Sequence, residues 1–183
     1  QIYSGRGLEF DGIGDYLTAD SIAPFVHSDF TSSFWINPTL DGYTTGPGGR
    51  VIWSAHTSTN GNILIIVING TSNSIRTYSN SAHDISSTTT ALLQGWQRVV
   101  IMKSGTSFTV YVNGILNGTS TIADNITSGA DKFSIGQEYD GSTASDFYLG
   151  MMSDFQVWDT LWTAADVTYD YLNPESLALN NSG

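Results

Sequence analysis

The sequence predicts an all-β chain, a two-sheet antiparallel sandwich with one short helix near its C-terminal end. Three observations predict it. Apolar and polar residues alternate in several short runs, the period of a strand with one face buried. Turn-forming Gly, Asn, Asp and Pro recur about every 8–12 residues, with no helical pattern interleaved between the strands. At 183 residues and 40% hydrophobic, the chain is long enough for one well-buried core. No stretch reads as an interdomain linker, so residues 1–183 are expected to form a single domain.

In chain order, Gly7-Leu8-Glu9-Phe10-Asp11-Gly12 reads as a strand closing on an Asp-Gly turn. Asp15-Tyr16-Leu17-Thr18 reads as the strand that answers it. Asp11 and Asp15 offer carboxylates to a metal, but Asx side chains at turns bond nearby backbone amides, and that is the reading adopted. Phe30, Ser32, Phe34 and Ile36 alternate with Thr31, Ser33, Trp35 and Asn37 until Pro38 stops the ladder, which fits a strand with one face inside a sandwich. Gly46-Pro47-Gly48-Gly49 marks a loop, Val51 to Ser54 a strand, and Thr57 to Asn62 a polar turn. Ile63 to Ile68 is apolar on both faces, as expected of a covered strand, and it ends at Asn69-Gly70. Ile75 to Ser79 gives another strand and His83 to Ala91 a long Ser/Thr loop. Trp96 to Lys103 and Ser107 to Asn113 form a hairpin across Ser104-Gly105, followed by a tight turn at Asn113-Gly114. Thr163 with Asp166 three residues later is a capping box. It opens the one helix expected, from about Ala164 to Tyr171, before Pro174.

Composition excludes several function classes. Six Lys+Arg stand against 17 Asp+Glu, a net charge of -11, so a nucleic-acid partner is not expected, because phosphate binding depends on clustered cations. Acidic surfaces favour bound cations. With no cysteine, disulfides are not the stabilising device. The longest apolar run, Ile63 to Ile68, falls far short of the roughly 20 residues that cross a bilayer, so no membrane insertion is expected. Gln1 opens no secretory signal pattern, and a first residue other than Met suggests a processed product or a domain cut from a larger protein.

The chemistry concentrates between Lys132 and Trp158. Phe133 and Ile135 alternate with Ser134 and Gly136, and then Gln137-Glu138-Tyr139-Asp140-Gly141 brings carboxylates just as the apolar face stops. Two hard oxygen donors two residues apart, with a backbone carbonyl between them and a glycine to turn on, suit Ca2+, which takes six to eight oxygens at about 2.3–2.6 Å. The expected metal site is therefore a calcium at a sheet rim, held by Glu138, the Tyr139 carbonyl and Asp140.

The block Ile135-Gly136-Gln137-Glu138-Tyr139-Asp140, then Leu149-Gly150, then Ser153 to Asp159 with Leu161 and Thr163, resembles the pentraxin and laminin-G-like group of concanavalin A-type jelly rolls. Leu8 to Gly12 with Asp15-Tyr16-Leu17, and Tyr111-Val112-Asn113-Gly114 in the central hairpin, resemble laminin-G-like modules of phage and bacterial surface proteins. The resemblance covers Gly7 to Leu172. It implies calcium ligation by Glu138, the carbonyl of Tyr139, and Asp140. It also implies that the strand start at Asn60-Gly61-Asn62 approaches the same ion, where the family carries an Asp-Asn pair. Two readings stand for Asn60: a calcium ligand, or part of an Asn-Gly hairpin turn. Asp146 is the one carboxylate of the following loop placed to hold a second ion. The chain departs from pentraxins in having no disulfide.

Hydrolysis is not expected. Jelly-roll glycosidases of this superfamily carry Glu-x-Asp-x-x-Glu or Glu-x-Asp-x-Glu, and here Ser142 and Thr143 stand where the last Glu belongs. His27, His56 and His83 lie in polar segments with no Gly-x-Ser-x-Gly elbow and no zinc spacing. Two non-enzymatic functions remain. One is a calcium-assisted module for glycans or other polar cell-surface ligands, with Tyr139 and Tyr148 as the aromatics that stack on sugar faces. The other is a structural or assembly domain contacting its parent protein or virion neighbours, with calcium stapling loops. Either places the protein outside the cell, on a cell surface or on a virion.

Overall fold

The computed structural model describes residues 7–40, 50–70, 72–79, 82–86 and 92–174, the stretch 82–86 by its main chain. The expected Gly46 to Gly49 loop and residues 87–91 of the Ser/Thr loop lie outside them. The strands are β1 (Leu8–Asp11), β2 (Leu17–Thr18), β3 (Phe30–Pro38), β4 (Arg50–His56), β5 (Asn62–Ile68), β6 (Ile75–Ser79) and β7 (Ala82–Ser86). They continue as β8 (Gln97–Ser104), β9 (Ser107–Val112), β10 (Ile115–Thr121), β11 (Lys132–Ile135), β12 (Glu138–Asp140), β13 (Thr143–Ser145) and β14 (Leu149–Trp158), with helix α1 (Ala164–Leu172) last. One sheet has the order β1-β14-β3-β8-β9-β10, the other β2-β11-β4-β5-β6-β7, and β12 and β13 form a separate ribbon. The two large sheets, antiparallel throughout, make the jelly-roll sandwich that the sequence predicts.

Strand periodicity assigns each face. Phe34, Ile36, Val99, Ile101, Phe108 and Val110 of the first sheet point inward to meet Trp53, Ala55, Leu64, Ile66 and Phe133 of the second, all fully buried. Burying a side chain of this size is worth about 1.5–3 kcal/mol. The intervening residues therefore face outward: Ser33, Trp35 and Arg98 on the first sheet, Ser54 and Ser134 on the second.

Three expectations are corrected. First, β1 and β2 are not partners: β1 pairs with β14 (Leu8 opposite Met152) and β2 with β11 (Leu17 opposite Ile135), so the turn between them crosses from one sheet to the other. Asp11 organises that turn. Its Oδ1 accepts the amides of Ile13 at 2.8 Å and Gly14 at 3.0 Å, while Asp15 Oδ2 accepts the Asp11 amide at 3.1 Å. The Ile13 and Gly14 amides hold the Asp11 carboxyl below its ordinary range. Second, residues 83–86 lie in β7 rather than a loop. Third, α1 is not the sole helical segment, because Asp20–His27 forms a 3-10 helix that buries Ala23 and Val26. Pro24 lies inside it and brings no backbone N–H to that short segment.

Helix α1 begins where the capping box sets it. Thr163 Oγ1 accepts the Asp166 amide at 3.2 Å, and Asp166 Oδ2 accepts the Thr163 amide at 2.8 Å. Thr163→Ala is expected to cost about 1 kcal/mol and to lower the melting midpoint by about 2–4 °C, measured by circular dichroism. A midpoint unchanged within error would mean that the cap does not hold the helix.

The helix is fastened to the outer face of the first sheet by a buried ion cluster. Arg98, fully buried, donates from Nε to Asp170 Oδ2 at 2.7 Å and from Nη2 to Asp170 Oδ1 at 2.8 Å. Its Nη1 donates to Asp154 Oδ2 at 2.9 Å, Ser33 Oγ donates to Asp170 Oδ2 at 2.9 Å, and the guanidinium lies 5.8 Å from the Trp35 ring centre. A bulge in β14 makes this possible. The register against β3 shifts between Ser153 and Gln156, and Asp154 takes a left-handed φ of 51°. That shift sends the Asp154 carboxylate outward and Phe155 inward, where it stacks on Phe34 with ring centres 5.5 Å apart.

Candidate functional site

The site begins where β11 ends. Gly136 has φ +90°, and a Cβ there would lie 2.8 Å from the Phe10 ring, so glycine alone turns the chain out of the sheet at this point. Residues 137–145 then fold back over the outer face of the second sheet. Ser54 Oγ donates to the Gln137 carbonyl at 2.7 Å, Gln137 Nε2 donates to Ser134 Oγ at 2.7 Å, and β12 lies against β4 and β5. The acidic turn expected after β11 is thus a two-stranded ribbon, with Glu138 opposite Ser145 and Asp140 opposite Thr143.

Under the ribbon is a buried polar layer. Ser134 Oγ sits 2.9 Å from His56 Nε2, and the His56 ring meets Tyr139 edge-on with centres 4.8 Å apart. Burial first, and then the charge of Lys132, lower the His56 pKa, so the ring is neutral at pH 7. Charge gathers above this layer. Burial raises the Glu138 carboxyl to about 7, and Asp146 and Asp140 add to the rise. Burial and then Asp140 raise Asp146 as well. The influence that lowers Glu138 is the hydrogen bond from Asn62. Asn62 Nδ2 donates to Glu138 Oε2 and, at 2.7 Å, to the Tyr139 carbonyl.

The structure therefore brings Glu138, Asp140, Asp146 and the Tyr139 carbonyl together at one rim, and it adds Asn62. Asn60 is elsewhere. Its φ of 66° belongs to the hairpin between β4 and β5, and its Oδ1 accepts Lys132 Nζ at 3.1 Å. Of its two readings the turn is the one observed, and the amide at the rim is two residues on. Tyr148 is a further correction: it is fully buried, edge-on to Phe10 with centres 5.8 Å apart, and its hydroxyl donates to the Met151 carbonyl at 3.3 Å. A side chain inside the sandwich cannot stack on a ligand. Tyr139 is half-buried on the ribbon.

The donor set suits a hard cation. Two or three carboxylates, a backbone carbonyl and a side-chain amide are all oxygen ligands, and a cation would offset the burial, and after it the repulsion from Asp146 and Asp140, that raise Glu138. Among the described residues, no three His, Cys, Asp or Glu side chains converge tightly enough to hold an ion unaided. An ion here thus needs the Tyr139 carbonyl and Asn62 as well as the acids. The Asn62 amide presents its nitrogen to the two oxygens, the place a cation would take; turning the amide over would present its oxygen instead.

The family model described as the Concanavalin A-like lectin/glucanases superfamily, Laminin_G_3, matches residues 11–168. The chain belongs to this family. No curated protein matches it by sequence. Among solved structures, the carbohydrate-binding module CBM40 of the Ruminococcus gnavus IT-sialidase superposes with a TM-score of 0.69 at 13% identity, over 90% of this chain and 95% of that one. The same module bound to alpha2,3 sialyllactose gives 0.68 at 14%, over 90% and 95%. A heptameric SAP-like pentraxin from Limulus polyphemus gives 0.62 at 22%, over 89% and 80%. A Trypanosoma rangeli sialidase gives 0.69 at 16%, over 92% of this chain but 27% of that one. At these identities the likeness is one of fold.

Proposed function

We propose that this Laminin_G_3 domain is a non-catalytic, calcium-assisted binding module for glycans or other polar surface ligands, working in an extracellular, cell-surface or virion setting. The observation that carries the reading is the rim: the Asn62 amide bridges the Glu138 carboxyl and the Tyr139 carbonyl, with Asp146 and Asp140 near enough to raise Glu138 beyond the effect of its burial. Acids held close together above a neutral His56 are costly unless a cation joins them. Glu138, Asp140, Asn62 and the Tyr139 carbonyl would hold calcium, and a cation there supplies open coordination positions to the oxygens of a ligand. Tyr139, fixed against His56, stands beside that position. The CBM40 module solved with alpha2,3 sialyllactose supports a glycan as the ligand class, since it carries the same fold over most of this chain.

The raised pKa of Glu138 would also suit a general acid, so the test must separate binding from hydrolysis. On a glycan array, binding that requires calcium and falls at least tenfold in Asp140→Asn supports the proposal. Calcium-dependent stabilisation with no glycan bound would favour an assembly role in which the ion staples the ribbon to β5. Release of reducing sugar, abolished by Glu138→Gln, would overturn both.

A further inference from the structure

Two aromatic rings stand together at the foot of the rim ribbon. Tyr16 and Phe147 come from distant parts of the chain, yet their ring centres lie 6.4 Å apart with the planes tilted by 35°. Register fixes the face that Tyr16 takes. Thr18 lies opposite Ser134 and Leu17 opposite Ile135, and directly opposed residues share a face, so Thr18 belongs with Ser134 on the outer face that the ribbon crosses. Alternation brings Tyr16, two residues before Thr18, back to that face. Phe147 faces outward because its neighbour Tyr148 is the one inside the sandwich. The rim begins beside them. The Tyr148 amide donates to the Gly136 carbonyl at 2.9 Å, Glu138 lies opposite Ser145, and Asp146, whose charge acts on Glu138, immediately precedes Phe147. Tyr16 keeps 42% of its surface exposed, and Phe147 is half-buried.

We propose, resting on the calcium-assisted reading of the rim, that Tyr16 and Phe147 form the stacking wall of the glycan site and make it select pyranose rings over compact anions. A cation at the rim would accept hard oxygens from a carboxylate, a phosphate or vicinal hydroxyls, so the metal alone sets no such preference. Paired aromatic faces do. The C–H face of a pyranose buries apolar surface against them, whereas a compact anion has none to bury. The wall is held in place before a ligand arrives: Phe147 lies between the Asp146 carbonyl, which accepts the Val51 amide at 2.9 Å, and the Tyr148 amide bonded to Gly136. Little ordering is then needed on binding. The aromatic that the sequence assigned to Tyr148 is thus one residue earlier, at Phe147, with Tyr16 beside it.

The test repeats the glycan array in millimolar calcium with the unaltered chain and its Tyr16→Ala, Tyr16→Phe and Phe147→Ala variants, with the calcium-induced rise in melting midpoint as the control for folding and for the metal. Tyr16→Ala should weaken binding of the array's strongest pyranoside about tenfold, and Tyr16→Phe should retain it. Tetranitromethane should nitrate Tyr16 in the free protein and not in the glycan complex, read by peptide mass. Acetate and inorganic phosphate should compete more weakly than the free pyranoside. The proposal is overturned if Tyr16→Ala binds as the unaltered protein does, if Tyr16 resists nitration, or if acetate or phosphate competes better than the pyranoside. An array with no calcium-dependent binder would overturn the underlying reading of the rim, and the stacking wall with it.

Discussion

Asp170→Asn is expected to lower the melting midpoint by about 6–12 °C. Removing one partner of a buried ion pair leaves the other charge without compensation, at a cost of about 3–5 kcal/mol. For a chain of this size each kcal/mol shifts the midpoint by about 2–4 °C. Asp154 still faces Arg98 in the variant, so the cost should lie near the lower end. Asp154→Asn removes a partner that is itself partly exposed and should cost less than half as much. Replacing Arg98 and Asp170 together by Met and Leu should restore much of the loss, because the penalty belongs to the stranded charge rather than to the missing bond. Thermal melts of the four proteins decide it, and a shift below about 2 °C for Asp170→Asn would mean that the cluster does not clamp the helix.

The second large effect concerns the rim and its dependence on pH. Glu138 in the folded protein titrates at about 7, above its ordinary 4.5. Between those values the folded state binds the proton that the unfolded state has released, so without calcium this group makes stability fall as pH rises from about 4.5 to 7. Calcium should reverse the trend, because it binds the ionised carboxylate. At pH 8 and a hundredfold excess over Kd, it should add about 2.7 kcal/mol, raising the midpoint by about 5–10 °C. At pH 5 most of that gain should vanish. Glu138→Gln should remove the calcium response at both pH values and flatten the pH dependence of the calcium-free protein. An EGTA-insensitive midpoint at pH 8 in the unaltered protein would end the calcium reading.

The sequence made most strands legible because their alternation is local: Phe30 to Asn37 carries its own evidence of burial. The helix was legible through Thr163 and Asp166, whose reciprocal bonds span three residues. What local pattern cannot carry is partnership. Leu8 to Asp11 reads as half a hairpin, yet its mate is Leu149 to Met152, some 140 residues away. Tyr148 looked like a rim aromatic because it follows an acidic stretch, but the sharp turns at Gly136 and Asp146 return the chain to the core before it arrives. Asn60 and Asn62 differ by two positions, and a register shift between Ala55 and His56 decides which of them reaches the ribbon. Composition flagged Arg98 in no way, because a buried arginine is recognisable only once its two carboxylates are in place.

The rim ribbon and helix α1 cover opposite outer faces of the sandwich, one over Ser54 and Ser134, the other over Ser33 and Arg98. A pull applied through the end of α1 would pass along the Arg98 fork into β8 and along residues 159–163 into β14, both inside the first sheet, and be shared there by the ladders to β3 and β9. The ribbon lies outside that load path. The module can therefore be tethered firmly by its C-terminal side while the surface that carries the acids keeps its shape under tension.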